Sequence, residues 1–156
     1  MESLLATIQQ TDLATALRFS RWSYAAVNAT HILGIALLVG AILPLDLRLL
    51  GCWPGVNRTT LVRVLVPTAA TGLALAVLTG ILLFSIRATE YADLAIFRIK
   101  LVLIMLGAGS AILLHLRHGF TLETASAHRL RWAGFFSLCI WPCALLAGRM
   151  IAFVGD

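Results

Sequence analysis

The stretch WSYAAVNATHILGIALLVGAILPL, residues 22–45, decides the fold. It contains no formally charged residue. A helix rising 1.5 Å per residue needs about 20 apolar residues to cross a hydrocarbon core of about 30 Å, so the stretch reads as a transmembrane helix. Its neighbours repeat the pattern. Residues 64–86 form a second uncharged apolar run, and residues 132–154 a fourth that carries Arg149 within its last turn or two. Between them Leu101–Leu114 is too short to span alone. The third helix, placed at 95–116, must therefore take Lys100, or His115 and Arg117, or both ends into the membrane or its interface.

Composition agrees. The chain is 60% hydrophobic and 12% charged, against about 45–50% and about 25% for a soluble domain, and its mean hydropathy is +0.95. The expected fold is all-α: a four-helix transmembrane bundle, one integral membrane domain over residues 1–156, with a short interfacial N-terminal helix. That helix is read from Leu4, Leu5, Ile8, Leu13 and Leu17 alternating with Glu2, Gln9, Gln10, Asp12 and Arg18, with Thr11 or Asp12 capping the next helix. Glu2 stands where a secretory signal has basic residues, and no clean cleavage point follows.

The net charge of +5 and pI near 9.9 do not indicate nucleic acid, because the arginines are scattered over helix ends and no soluble domain carries a patch. Six basic residues fall on each side of the membrane. Setting aside Lys100 and Arg149 as embedded leaves four against six, which puts both termini outside the cytoplasm. Cys139 and Cys143, one turn apart on one helix, are badly placed for a disulfide and read as small apolar filler. Trp141, in mid-span, is a packing residue or a pocket wall. Small residues at four-residue spacing (Ala36 and Gly40; Gly72, Ala76 and Gly80; Gly107 and Ala111) predict close helix packing, within the bundle or between subunits. The connections are short, so any chemistry lies in the bundle or at its ends.

An ionisable residue inside a span is costly and is a functional-site hypothesis by default. Three fall at similar depth near the N-terminal face: His31 about 10 Å beyond Tyr24, Lys100 about 6–9 Å into the third helix, and Arg149 about 7–8 Å from the end of the fourth. His115 lies about 22 Å further across than Lys100. A haem iron with two axial ligands needs them at nearly one depth, which His31 and Lys100 satisfy and His31 and His115 do not. Neutral imidazole is the commonest metal ligand, and a lysine ligand acts through its unprotonated amine. Arg149 and Arg98 are candidate partners for haem propionates, and Asn28, one turn before His31, a candidate to orient the imidazole. Taken singly, a membrane histidine is often a packing residue, and lysine and arginine near helix ends snorkel.

At the opposite face Pro44 is expected to bend or interrupt the first helix, and Asp46 to form a structural ion pair with Arg63 or Arg117. His115 and His118, at i and i+3, are weak candidates for a second metal site, with Glu123 and Asp46 as the available carboxylates.

The pattern Trp22-x-Tyr24, His31-x-x-Gly34, Gly40, Asp46-Leu47-Arg48-Leu49-Leu50-Gly51, with Phe97-x-x-Lys100-Leu101 and Ser137-Leu138-x-x-Trp141…Gly148-Arg149, resembles an uncharacterised family of small four-span bacterial membrane proteins. The resemblance covers most of the chain and implies fold and bacterial origin. The early histidine followed by glycines, and Lys100-Leu101 entering a later span, are more distantly similar to HemJ-type protoporphyrinogen oxidases and CopD-type membrane domains. HemJ-type proteins bind haem b through a histidine and a lysine, which implies His31 and Lys100 here. The expected function is b-type haem binding for electron transfer in the bacterial inner membrane, within a homo-oligomer or membrane complex and with a redox partner or quinone. The alternatives are a cofactor-free anchor or scaffold subunit, or a small oligomeric channel or transporter.

Overall fold

The structure, a computed structural model, describes residues 2–154. Among them every regular element is a helix: α1 (Glu2–Gln9), α2 (Asp12–Phe19), α3 (Arg21–Leu50), α4 (Arg58–Ile86), α5 (Ala88–Asp93), α6 (Ala95–His118) and α7 (Ala127–Val154). Four of these, α3, α4, α6 and α7, are long and apolar enough to cross a membrane. Even the shortest, the 24-residue α6, reaches about 36 Å at 1.5 Å per residue. The expected all-α four-helix architecture is observed, in a chain whose outward surface suits a lipid bilayer.

The helix ends follow local chemistry. Thr11, Ser20 and Asn57 each accept a hydrogen bond from the backbone N–H three residues on, capping α2, α3 and α4. Thr11 is the expected cap, and the N-terminal segment forms two short helices on either side of it. Gly51, with φ +110°, ends α3 in the left-handed region. Pro44 does not interrupt α3, which continues in α geometry to Leu50. Proline is tolerated in membrane helices when neighbouring groups take up the freed carbonyl. The extra turn carries Arg48 to the exit loop, where its Nε donates to the Val56 carbonyl at 2.8 Å and its Nη2 to Pro54 at 3.3 Å.

Helix α3 is central, packing on α4 and α7, while α6 packs mainly on α7. Each contact is built on a glycine. A Cβ on Gly72 would sit 2.5 Å from the Leu38 nitrogen and 2.7 Å from the Gly34 oxygen, so α3 and α4 touch backbone to backbone. Gly134 of α7 lies against the Asp46 carbonyl of α3, and Gly107 of α6 against the Trp141 indole of α7. Trp141 is therefore a packing residue. The spacing Gly72, Ala76 is used as expected, but its partner is Gly34 rather than Gly40, beside which nothing lies within 4 Å. Cys139 and Cys143 face outward rather than filling the interior.

Asp46 is buried at 4% exposure on the face of α3 that also carries Leu38, Leu45 and Leu49. It makes no ion pair with Arg63 or Arg117, which are exposed. Among the described residues the ion pair is Arg87–Glu90, at the other end of the molecule. The expected pairing fails because Asp46 turns inward against α7 while both arginines turn outward.

The end of the bundle away from the N-terminus is filled by Leu45, Leu49, Val62, Leu122, Ala125 and Leu130. Leu122 comes from the loop between α6 and α7. It is 1% exposed and held at φ +58°, a conformation costly for a branched side chain. Burial of the side chain offsets that strain. Leu122→Ala is expected to lower unfolding stability in detergent by about 2–5 kcal/mol, whereas Leu116→Ala on the outer face (79% exposed) should leave it nearly unchanged.

Candidate functional site

The N-terminal end, by contrast, is hollow. His31 projects from α3 one turn before Gly34, at the level where α4 carries Thr79 and Gly80. Its Nδ1 lies 3.0 Å from Thr79 Oγ1. That hydroxyl gives its own hydrogen to the Leu75 carbonyl at 2.6 Å, so it accepts from His31 Nδ1–H. A neutral imidazole with its proton on Nδ1 has an unprotonated Nε2. Gly80 makes the fit possible, since a Cβ there would come within 3.2 Å of His31 Cε1.

Lys100 enters from α6. Its stem crosses α7 at Gly148, where a Cβ would meet Cε at 3.3 Å and Nζ at 3.4 Å. Here too a glycine lets a polar side chain lie flat over a helix.

His31 and Lys100 line one cavity of about 1210 Å³. Leu83 and Ile151 contribute aliphatic wall, and Tyr24 and Asn28 polar wall. Toward its end, α4 and α6 are joined by the stacked rings of Phe84 and Phe97, 5.2 Å apart, with Tyr91 of α5 6.1 Å beyond. Burial raises the Tyr91 phenol above the usual tyrosine value, so it is a neutral hydroxyl at physiological pH. Arg18 of α2 lines the cavity and donates to the Ile86 carbonyl at the end of α4. Arg87 lines it beside Glu90, the two forming a half-exposed pair at 3.3 Å.

The structure therefore brings together three of the residues singled out in the sequence: His31, Lys100 and Asn28. Asn28 lines the cavity, but the imidazole is held by Thr79 from the neighbouring helix. Arg98 and Arg149 are exposed and lie outside the cavity, Arg149 resting over the Phe153 ring at 5.1 Å. The basic side chains that do line it, Arg18 and Arg87, come from outside the spans. Sequence reasoning passed over them because depth was counted only along spanning helices. Arg87, one residue past the end of an apolar run, was the legible signal.

Of the second histidine pair, His118 is engaged in the α6–α7 loop. His118 Nδ1 lies 3.1 Å from Thr124 Oγ1, and its Nε2 accepts from Arg129 Nη1 at 2.8 Å, so both nitrogens fasten the α6–α7 loop. His115 sits beside Phe120, ring centroids 6.0 Å apart. Among the described residues no three His, Cys, Asp or Glu side chains gather as a metal site.

The chain matches no family model, no curated protein and no solved structure. Its function is to be read from the chemistry of the cavity.

Proposed function

We propose that the cavity holds a b-type haem and that the protein is an electron-transfer cytochrome of the bacterial inner membrane, with both termini on the periplasmic side. The observation that carries this reading is the His31 imidazole. Its Nδ1 lies against Thr79 Oγ1 on the wall of a cavity it shares with Lys100, an arrangement that leaves Nε2 of the neutral ring for the iron. At about 1210 Å³ the cavity lies at or above the upper end of the ~300–1,000 Å³ range of small-molecule sites. Its lining fits the group: an imidazole and an amine for the iron, aromatic and aliphatic side chains for the macrocycle, and Arg18 and Arg87 for the propionates. Bound there, haem supplies a one-electron carrier. The protein holds the ligand ring in one tautomer and orientation, packs apolar side chains around the site, and places cations toward its mouth.

Visible absorption of the detergent-purified protein, oxidised and then reduced with dithionite, tests the reading, with pyridine extraction for haem type. A Soret band with sharpened reduced α and β bands is the expected result. A colourless preparation that stays colourless on haem addition overturns it. Thr79→Val keeps the shape of the imidazole's seat but removes its acceptor. Haem titration is expected to show affinity reduced about 10–100-fold, the usual cost of losing a partner that orients a metal ligand.

The cofactor-free reading, an anchor subunit of a complex or homo-oligomer, draws on α6, whose one buried residue is Gly107. It predicts no visible chromophore and a stable larger assembly in mild detergent.

A further inference from the structure

At the end of the bundle opposite the haem cavity, three arginines from three helices meet around a pocket of about 140 Å³. Arg48 comes from the last turn of α3, Arg58 opens α4, and Arg131 lies in the second turn of α7. Leu49, Gly51, Ala127 and Leu130 complete the wall. No carboxylate lines the pocket, and among the described residues none of the three arginines is in an ion pair. Three like charges held around one small volume repel one another unless an anion lies between them.

The hydrogen bonding is also incomplete. Each guanidinium has five donors. Arg48 spends two on the loop carbonyls of Val56 and Pro54, and Arg58 one on Leu122. Arg58 Nε is buried with no acceptor, and buried donors are rarely left without one. An anion in the pocket would supply both an acceptor and the countercharge to the three arginines.

We propose that this pocket binds a phosphate group. Planar guanidinium forks match the oxygens of phosphate in pairs, and the start of α7, at Ala127, adds the positive end of a helix dipole. The volume is several times the ~30 Å³ share of one water, enough for one tetrahedral anion. The pocket sits where α3 ends and α4 and α7 begin, the end of the bundle that also carries the exposed Trp53 and Trp132, residues typical of the headgroup level. Basic pockets between spanning helices receive anionic lipid headgroups, and free inorganic phosphate offers the same chemistry.

The test uses the full-length protein, stripped of lipid in detergent, with native mass spectrometry and thermal unfolding as readouts. The probes are inorganic phosphate alone, and phosphatidylglycerol against phosphatidylcholine in mixed micelles. Saturable binding of phosphatidylglycerol without inorganic phosphate identifies a lipid headgroup site, and binding of inorganic phosphate by itself identifies a free-anion site. In either case Arg131→Gln is expected to weaken binding roughly tenfold, the scale of one charge-assisted hydrogen bond. Arg131 is exposed, so the variant should fold. Arg117→Gln, at the same end but outside the pocket, should bind as the parent does. Absence of saturable binding of both probes, or binding that Arg131→Gln leaves intact or Arg117→Gln weakens equally, overturns the proposal. Arg58→Gln, read with the same probes, provides an independent second variant.

Discussion

On the haem reading proposed above, a His31→Ala protein is expected to purify in normal yield and to carry no haem. The ring's hydrogen bond is to Thr79 Oγ1, and that hydroxyl keeps its bond to Leu75 when the imidazole is gone. The folding cost is therefore that of one hydrogen bond and a half-buried side chain, on the order of 1 kcal/mol. A haem in the cavity, in contrast, would lose its candidate imidazole ligand, the ring held through Nδ1 by Thr79. The visible spectrum should lose its Soret band, and exogenous imidazole, which fits the hole left behind, should restore part of it. Arg98→Gln and Arg149→Gln should leave the spectrum unchanged, because neither side chain lines the cavity. Full haem content in the alanine variant would remove His31 from the site.

Gly72→Val is expected to have the largest effect on the fold. Its Cβ would fall 2.5 Å from the Leu38 nitrogen and 2.7 Å from the Gly34 oxygen. Those are backbone atoms of a neighbouring helix, so no rotamer change relieves the contact. Overpacking against side chains typically costs about 1–3 kcal/mol, and here the α3–α4 pair must move apart along its length. Thermal unfolding in detergent should fall well below the parent, and the His31–Thr79 hydrogen bond, which bridges the same two helices, should be lost with it. Gly40→Val is the control. It lies on α3 in the same kind of sequence, but its Cβ direction is open, so stability should be preserved. Equal destabilisation of the two variants would contradict the crossing described above.

The four spans were legible because apolar runs of this length have one common explanation. The meeting of His31 and Lys100 was legible because rise per residue converts sequence position into depth. Azimuth was harder. Lys100 and Arg98 share a depth to within about 3 Å, yet two residues on a helix turn the side chain by about 200°, so one enters the cavity and the other faces away. Arg149 follows Gly148, which lies under Lys100, and is turned by about 100° from it. The Thr79 contact was hidden for a related reason. Asn28 was near His31 along one helix, whereas Thr79 is near it only once α3 and α4 cross at Gly34 and Gly72. The pair Thr79-Gly80, polar then small within an apolar run, was the available sign. Asp46 shows the limit of charge pairing inferred from a shared membrane face, since its side chain lies on a buried apolar face of α3.

The bundle has one hollow end and one filled end, and this has an electrical consequence. In a bilayer, with the cavity open to water on the N-terminal side, the packed half from the Gly34–Gly72 crossing to the Leu122 plug would carry most of a membrane potential. The cavity, bordered by the half-exposed Arg87 and Glu90, belongs to the compartment on the N-terminal side. A unit charge carried through the full field at 100 mV exchanges about 2.3 kcal/mol, but a charge passing between this cavity and its own mouth crosses only a small part of that field. Charge exchanged with a cavity hydrated from that side would then answer mainly to the chemistry of one compartment and only weakly to voltage.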